Sequence, residues 1–343
     1  VITFDHILGQ NPAVDFLRSA CADDRLPHAL IFAGPVGVGK ATCALALAGR
    51  FLCHKPKANE PCGVCESCRL LTAGNHPDYH VIVKEMVREY DKTGKSKAID
   101  LSIHVIRGEL VTPAAHTAVF GHGKFFVVEQ AELMNLAAQN ALLKTLEEPP
   151  GKAVIVLLTD APEYFLPTVR SRCQMVRFAP LEMKLAQRLV EKKGHEPAIA
   201  AAAAELSDGS PGGALRLIAQ GTLPLAAELD RQIEQLLAGH APADLSGWLK
   251  KAADAHAVVE LERDPLGSKD AATKAGLAMY LHLAARRFRR QLHETSDPTA
   301  LERACRAIDA ITRCQMYLDG NVNVAVALGQ LAAAWAEEFA VAG

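Results

Sequence analysis

Gly34-Pro35-Val36-Gly37-Val38-Gly39-Lys40-Ala41 is the stretch that decides how this chain is read. It matches the phosphate-binding loop G-x-x-x-x-G-K-[ST] up to its last place, where a hydroxyl belongs. Ala41 stands there, and Thr42 comes one residue late. The glycines let backbone N–H groups approach a phosphate, and a following helix adds favourable partial charge at its N-terminus. Lys40 would neutralise the outer phosphates. The missing hydroxyl is the one that holds Mg²⁺ for hydrolysis. Gly34, Gly37, Gly39, Lys40, Ala41 and Thr42 thus form a degenerate nucleotide site, able to bind ATP or ADP but not expected to hydrolyse it. A glycine-rich turn with no ligand is the plainer alternative.

Working outward, 29–32 is a short apolar run ending at Gly34 and reads as a buried strand. Residues 40–52 follow as a helix, so the loop has the strand-before, helix-after context its chemistry needs. Further strands are expected at 79–83, 125–129, 154–158 and 176–178. Helices are expected at 101–111, with Asp100 as N-cap and Pro113 as stop, and at 135–148, ended by Pro149-Pro150. Strands alternating with helices give an α/β fold with a parallel sheet. The polar segment 85–98 is expected to be an exposed loop. From 182 onward the strand signal stops. Short helices are expected at 182–193, 197–206 and 211–220, then longer ones that include 271–292, 299–317 and 322–340.

At 343 residues the length favours two or three domains. Half the residues are apolar and 22% are charged, which fits a globular chain. Apolar runs are too short or interrupted to span a bilayer. No secretory leader opens the chain, so a cytoplasmic location is expected. The net charge of −2 argues against a general nucleic-acid coat.

Four of nine cysteines cluster as Cys53, Cys62, Cys65 and Cys68. The C-x₂-C unit converges two thiolates on one ion, and four thiolates close a tetrahedral, structural Zn²⁺ site. A redox C-x-x-C needs no third and fourth cysteine at this spacing. An ATPase also needs an acidic pair after a later strand. Here the strand at 125–128 is followed by Glu129-Gln130, and Gln130 cannot serve as a carboxylate base. Arg172, within Arg170-Ser171-Arg172-Cys173, has two readings. It either caps the last carbonyls of a helix ending near Val169 or acts on a neighbour's γ-phosphate as an arginine finger.

Taken in order, these segments resemble the clamp-loader branch of the AAA+ proteins. More narrowly, they resemble the non-motor subunits of the bacterial DNA polymerase III clamp loader. The carrying segments are Phe4-Asp5-His6-Ile7-Leu8-Gly9-Gln10, Pro27-His28-Ala29, the four cysteines, His76-Pro77-Asp78, Asn140-Ala141-Leu142-Leu143-Lys144-Thr145-Leu146-Glu147-Glu148-Pro149-Pro150 and Ser171-Arg172-Cys173. The resemblance is specific over about residues 3 to 215. It implies an AAA+ core at 1–178 with the zinc module at 53–68, a helical lid at 179–222, and an all-α collar for oligomerisation at 223–343. It implies that Arg172 is a finger acting in trans and that Thr159 is the sensor 1 residue. Gly212 stands where motor subunits carry the sensor 2 arginine. Ala41, Gln130 and Gly212 are three losses in the chain's own site. The implied partners are motor subunits of the gamma/tau type, a delta-type subunit, the sliding clamp, and primed DNA through a hetero-pentamer, with no membrane. An ATP-hydrolysing motor subunit of the same machine is the alternative, and a zinc-dependent DNA-binding protein is a more distant one.

Overall fold

A computed structural model describes residues 1–57, 60–91, 98–240, 244–320 and 322–339. The chain divides into two compact units, 1–215 and 216–343.

The N-terminal unit is built on one parallel sheet of five strands: β1 (Ala29–Ala33), β2 (Tyr79–Ile82), β3 (Lys124–Val128), β4 (Ala153–Thr159) and β5 (Gln174–Arg177). Their spatial order is β2-β3-β4-β1-β5. β1, β3 and β4 are buried along their whole length. That explains why they read as continuous apolar runs, as strands covered on both faces do. Side chains alternate between the two faces. Leu30, Phe32, Phe125, Val127, Val154 and Val156 join a core with the helices Asn11–Ala22 and Lys40–Leu52. Ala29, Ile31, Phe126, Val128, Ile155 and Leu157 join a second core with the helix Leu136–Glu147 and the helical stretch 103–115. The expected α/β core is therefore present, as helix, sheet and helix layers.

Several local expectations need correction. Asp100 does not cap the helix that follows; Ser102 is its N-cap, and Asp100 Oδ2 instead accepts from Asn135 Nδ2 at 2.9 Å. Pro113 does not stop that helix. A π-turn at Arg107–Val111 precedes the final turn Thr112–Ala115, so the hydrogen-bond register shifts just ahead of the residue that lacks an N–H. The Pro113 carbonyl then accepts from Lys124 Nζ at 2.8 Å. β5 begins two residues before the expected 176–178, because Gln174 and Arg177 are exposed on an edge strand and break the apolar signal. The segment expected as an exposed loop opens with a 3-10 turn at Lys84–Met86 and a helical turn at Val87–Tyr90, both half-buried or better except for Glu89 and Tyr90. Residues 92–97 of it lie outside the described residues. The helix Leu136–Glu147 is as expected, with the Asn135 side chain accepting from Ala138 N at 3.0 Å as its N-cap.

The C-terminal unit is helical, with five long helices among its described residues: Thr222–Leu237, Leu245–Arg263, Lys269–Glu294, Pro298–Asp319 and Val324–Phe339. Tyr280, Phe288 and Trp335 are fully buried. The Trp335 Nε1 donates to the Ala307 carbonyl at 3.1 Å, which satisfies the polar edge of an otherwise apolar anchor.

Candidate functional site

The parallel register fixes which chain segments meet at the carboxyl edge of the sheet, where α/β folds hold their ligands. Ala33 at the end of β1 pairs with Thr159 at the end of β4, and Gly34 N donates to the Thr159 carbonyl at 3.1 Å. The loop 34–39 leaves from there and ends at Gly39, the N-cap of Lys40–Leu52, in the left-handed region at φ 105°. Lys40 is buried, and its ammonium donates to the carbonyls of Gly34 and, at 2.7 Å, Pro35. Burial lowers the Lys40 pKa, while Asp160 and Glu132 pull it back up. Ala41 and Thr42 are both exposed on the first turn of the helix. Thr159 is buried, and its hydroxyl accepts from Ala161 N at 3.0 Å.

The acidic side of the site differs from the expected pair. Glu129 follows β3, where burial, with nearby Glu85 adding, raises its pKa. Gln130 is exposed and left-handed at φ 48°. The carboxylates that act electrostatically on Lys40 are Asp160 and Glu132, which the sequence reading passed over. Burial raises the Glu132 pKa, and its Oε2 is buried with no hydrogen-bond partner.

Gly212 sits against the loop. Its N–H donates to the Gly37 carbonyl at 2.9 Å. Ser210 Oγ donates to the Val36 carbonyl at 2.6 Å and accepts from Gly213 N at 3.0 Å. A Cβ on Gly37 would lie 2.4 Å from Gly213 N, and one on Gly212 would lie 2.7 Å from the Gly37 Cα. The turn at 210–213 therefore fits the loop only because both facing residues lack a side chain. Gln10 adds a second tie, donating to the carbonyls of Val38 at 3.2 Å and Ala179 at 2.7 Å and accepting from Ala179 N at 3.1 Å. Gly212→Ala is expected to destabilise the N-terminal unit by about 1–3 kcal/mol, because only backbone stands in the way of the new methyl and none of it can swing aside. A thermal melt unchanged from wild type would contradict that contact.

Arg172 lies at the opposite edge of the sheet. Leu30, early in β1, pairs with Gln174 at the start of β5, and Arg172 precedes Gln174. Four residues of β5 at about 3.3 Å each put roughly 13 Å of strand between that edge and the loop edge. Its guanidinium does bond a carbonyl of the helix Pro167–Arg170, through Nη1 to Thr168 O at 2.9 Å, as the capping reading expects. Its Nε donates to Glu147 Oε1 at 2.6 Å, and Nη2 pairs with the same carboxylate.

The four cysteines come together, their sulfurs all within 4.8 Å of one another. Cys53 caps the C-terminus of Lys40–Leu52, and Cys65 is the N-cap of the helix Glu66–Thr72, which carries Cys68. Backbone N–H groups point at the sulfurs, from Cys62 to Cys53 at 3.2 Å, from Cys65 to Cys62 at 3.4 Å and from Cys68 to Cys65 at 3.5 Å. Such donors favour the thiolate. The backbone N–H groups of Val64 and Cys65 pull the Cys62 thiol down to about 6, while burial pushes Cys53 and Cys68 up.

The family model described as DNA polymerase III, delta subunit matches residues 9–182. The chain belongs to this family. Among curated members of the DNA polymerase III delta group, it is 38% identical over 213 residues to DNA polymerase III subunit delta' of Pseudomonas aeruginosa, which covers 61% of each chain. It is 36% identical over 184 residues to the delta' subunit of Bacillus subtilis, covering 53% of this chain and 52% of that one. It is 37% identical over 191 residues to the delta' subunit of Escherichia coli, covering 55% and 54%. The matched region thus spans about three fifths or less of these relatives' length. The tau/gamma subunit of Haemophilus influenzae is 31% identical over 188 residues, which is 25% of that protein.

For a DNA polymerase III delta-family chain, the cysteine module suits a metal ion. Tetrahedral Zn–S bonds of about 2.3 Å imply sulfurs about 3.8 Å apart, and Cys53 and Cys65 Sγ stand 3.9 Å apart. The His76-Pro77-Asp78 segment anchors the module to the sheet. Ser67 Oγ donates to the Leu52 carbonyl at 2.7 Å and lies 2.9 Å from His76 Nε2. The fully buried Asp78 carboxylate accepts from Val119 N and Phe120 N at 2.8 and 3.0 Å. Among the described residues no helix is long and apolar enough to cross a membrane.

Proposed function

We propose that this chain is a delta-prime-type subunit of a bacterial DNA polymerase III clamp loader. It is largely inactive as an ATPase and supplies Arg172 in trans to the nucleotide of a neighbouring motor subunit. The observation that carries the reading is the separation of the two halves of the chemistry. The loop at 34–41 lies at the carboxyl edge of the sheet and Arg172 at the amino edge, which supports a role for Arg172 at a site other than its own. Three features of the chain's own site support the first half. Ala41 offers no hydroxyl to Mg²⁺, Gln130 offers no carboxylate to an attacking water, and Gly212 brings backbone against the loop where a motor subunit would need an arginine side chain.

On this reading the core is followed by a lid at 179–222 and a collar at 223–343 that joins the other subunits. The partners are gamma/tau-type and delta-type subunits in a hetero-pentamer, which places a sliding clamp on primed DNA in the cytoplasm, at the nucleoid. Zn²⁺ on Cys53, Cys62, Cys65 and Cys68 has a structural role, since four thiolates leave no open position. ATP or ADP held at Gly34, Gly37, Gly39, Lys40, Ala41, Thr42 and Thr159 would be bound rather than turned over.

The motor-subunit reading is favoured by the similarity to tau/gamma proteins. Turnover separates the two. The isolated chain is expected to show no ATPase above blank, while omitting it from a complex reconstituted with gamma/tau-type and delta-type subunits abolishes DNA-stimulated turnover. ATPase in the isolated chain that disappears on Lys40→Ala would establish the motor reading instead. A zinc-dependent DNA-binding protein would show salt-dependent DNA affinity as an isolated chain.

A further inference from the structure

We infer that Glu147 is the positioning residue of the Arg172 finger, holding one edge of the guanidinium so that the other is presented to a phosphate. This rests on the assignment of Arg172 as a finger and adds a second residue to it.

A guanidinium carries five N–H groups in a fixed plane, and a phosphate is best taken by two of them side by side. In Arg172 the edge formed by Nε and Nη2 is committed to Glu147, with Nε 2.6 Å from Oε1. Nη1 is steadied by the Thr168 carbonyl at 2.9 Å and more loosely by Ser171 Oγ at 3.4 Å. The edge left is the end of the fork, where one Nη2 N–H is uncommitted and a second comes from Nη1 once a phosphate displaces its loose 3.4 Å contact with Ser171 Oγ. The Arg172 side chain is one third exposed, so this end can face a partner while the rest is fixed.

The helix that carries Glu147 also builds the segment before the finger. Gln139, buried on the same helix Leu136–Glu147, donates to the Met134 carbonyl at 3.0 Å and the Tyr164 carbonyl at 3.2 Å, and its Oε1 accepts from Leu166 N at 2.8 Å. Residues 164–166 lead directly into the helix Pro167–Arg170. One rigid helix thus sets both the backbone ahead of the finger and the direction of its side chain. The contribution to folding is small, because a partly exposed ion pair contributes about 0–1 kcal/mol. Its value lies in ordering a long side chain before the phosphate arrives.

The test is steady-state ATPase of the reconstituted clamp loader with sliding clamp and primed DNA. Glu147→Ala is expected to lower kcat by about 10- to 100-fold with KM for ATP unchanged. Glu147→Gln, which keeps an acceptor oxygen for Nε, recovers most of that loss. Adding Glu147→Ala to Arg172→Ala costs nothing further. Wild-type kcat in Glu147→Ala, or losses that multiply in the double variant, overturns the inference. If Glu147→Ala fails to assemble, Glu147→Asp, whose carboxylate falls one methylene short of Nε, takes its place in the cycle, with a loss of kcat that Arg172→Ala masks. A wild-type kcat in Arg172→Ala itself overturns the finger assignment, whereas a loss there with none in Glu147→Ala overturns only the role of Glu147.

Discussion

Arg172→Ala is expected to cut DNA-stimulated ATP turnover by the complex by about 10³-fold or more, the scale at which arginine fingers act in phosphoryl transfer. The variant should still fold and assemble. Arg172 loses one partly exposed ion pair and one bond to a carbonyl, for which about 1 kcal/mol is a generous allowance. Against a stability of about 5–15 kcal/mol that loss is tolerable. The asymmetry between the two figures makes the measurement decisive, since a thousandfold fall in rate corresponds to about 4 kcal/mol. A melt within a few degrees of wild type together with an unchanged turnover would sink the assignment. Arg172→Lys is expected to recover little, because an ammonium cannot offer two parallel N–H groups in one plane.

Metal removal is expected to give the second large effect. Metal analysis of protein purified without chelator should find one Zn²⁺ per chain. Structural zinc in finger peptides contributes apparent binding energies of about 10–16 kcal/mol, and here too the ion would hold a segment with little core of its own. Among the described residues of the module only Cys53, Pro61, Ser67, Cys68 and Leu71 are buried. Chelation is therefore expected to open residues 53–72 locally, read as rapid amide exchange there and as four newly reactive thiols. Cys68→Ser should do the same without chelator. The sheet should survive, because Asp78 is tied to Val119 and Phe120 independently of the cysteines. Protein free of zinc with full exchange protection over 53–72 would remove the metal from the account.

How much of this was legible in the sequence follows from the range of the interactions involved. The loop at 34–41, the helix ended by Pro149-Pro150 and the cysteine cluster were readable because each is a local pattern whose partners lie within a few residues. The passage of a helix through Pro113 was not, because it depends on a π-turn that no residue type announces. Gly212 was read only as a missing arginine. Its contact with Gly37 joins segments far apart in the chain, and the reason for a glycine there is space, which the sequence does not encode. Glu147 stands within the run 140–150 with no task legible there, since its partner lies 25 residues away across a strand. Glu132 and Asp160 were missed for the same cause: their bearing on Lys40 arises only when the ends of β1, β3 and β4 are aligned by the register.

That register also governs how the chain is made. β1 has no hydrogen-bonded neighbour until β4 exists, because Ala29 pairs with Ile155 and β5 comes later still. During synthesis the apolar run Ala29–Ala33 therefore leaves the ribosome long before anything can cover its edges. Contacts between such distant segments form slowly, since the entropy of closing a long loop comes before any gain. A nascent chain stalled short of β4 is expected to expose this strand and to be a substrate for chaperones or aggregation. The strand that leads into the loop at 34–41 is in this sense the last part of the sheet to become safe.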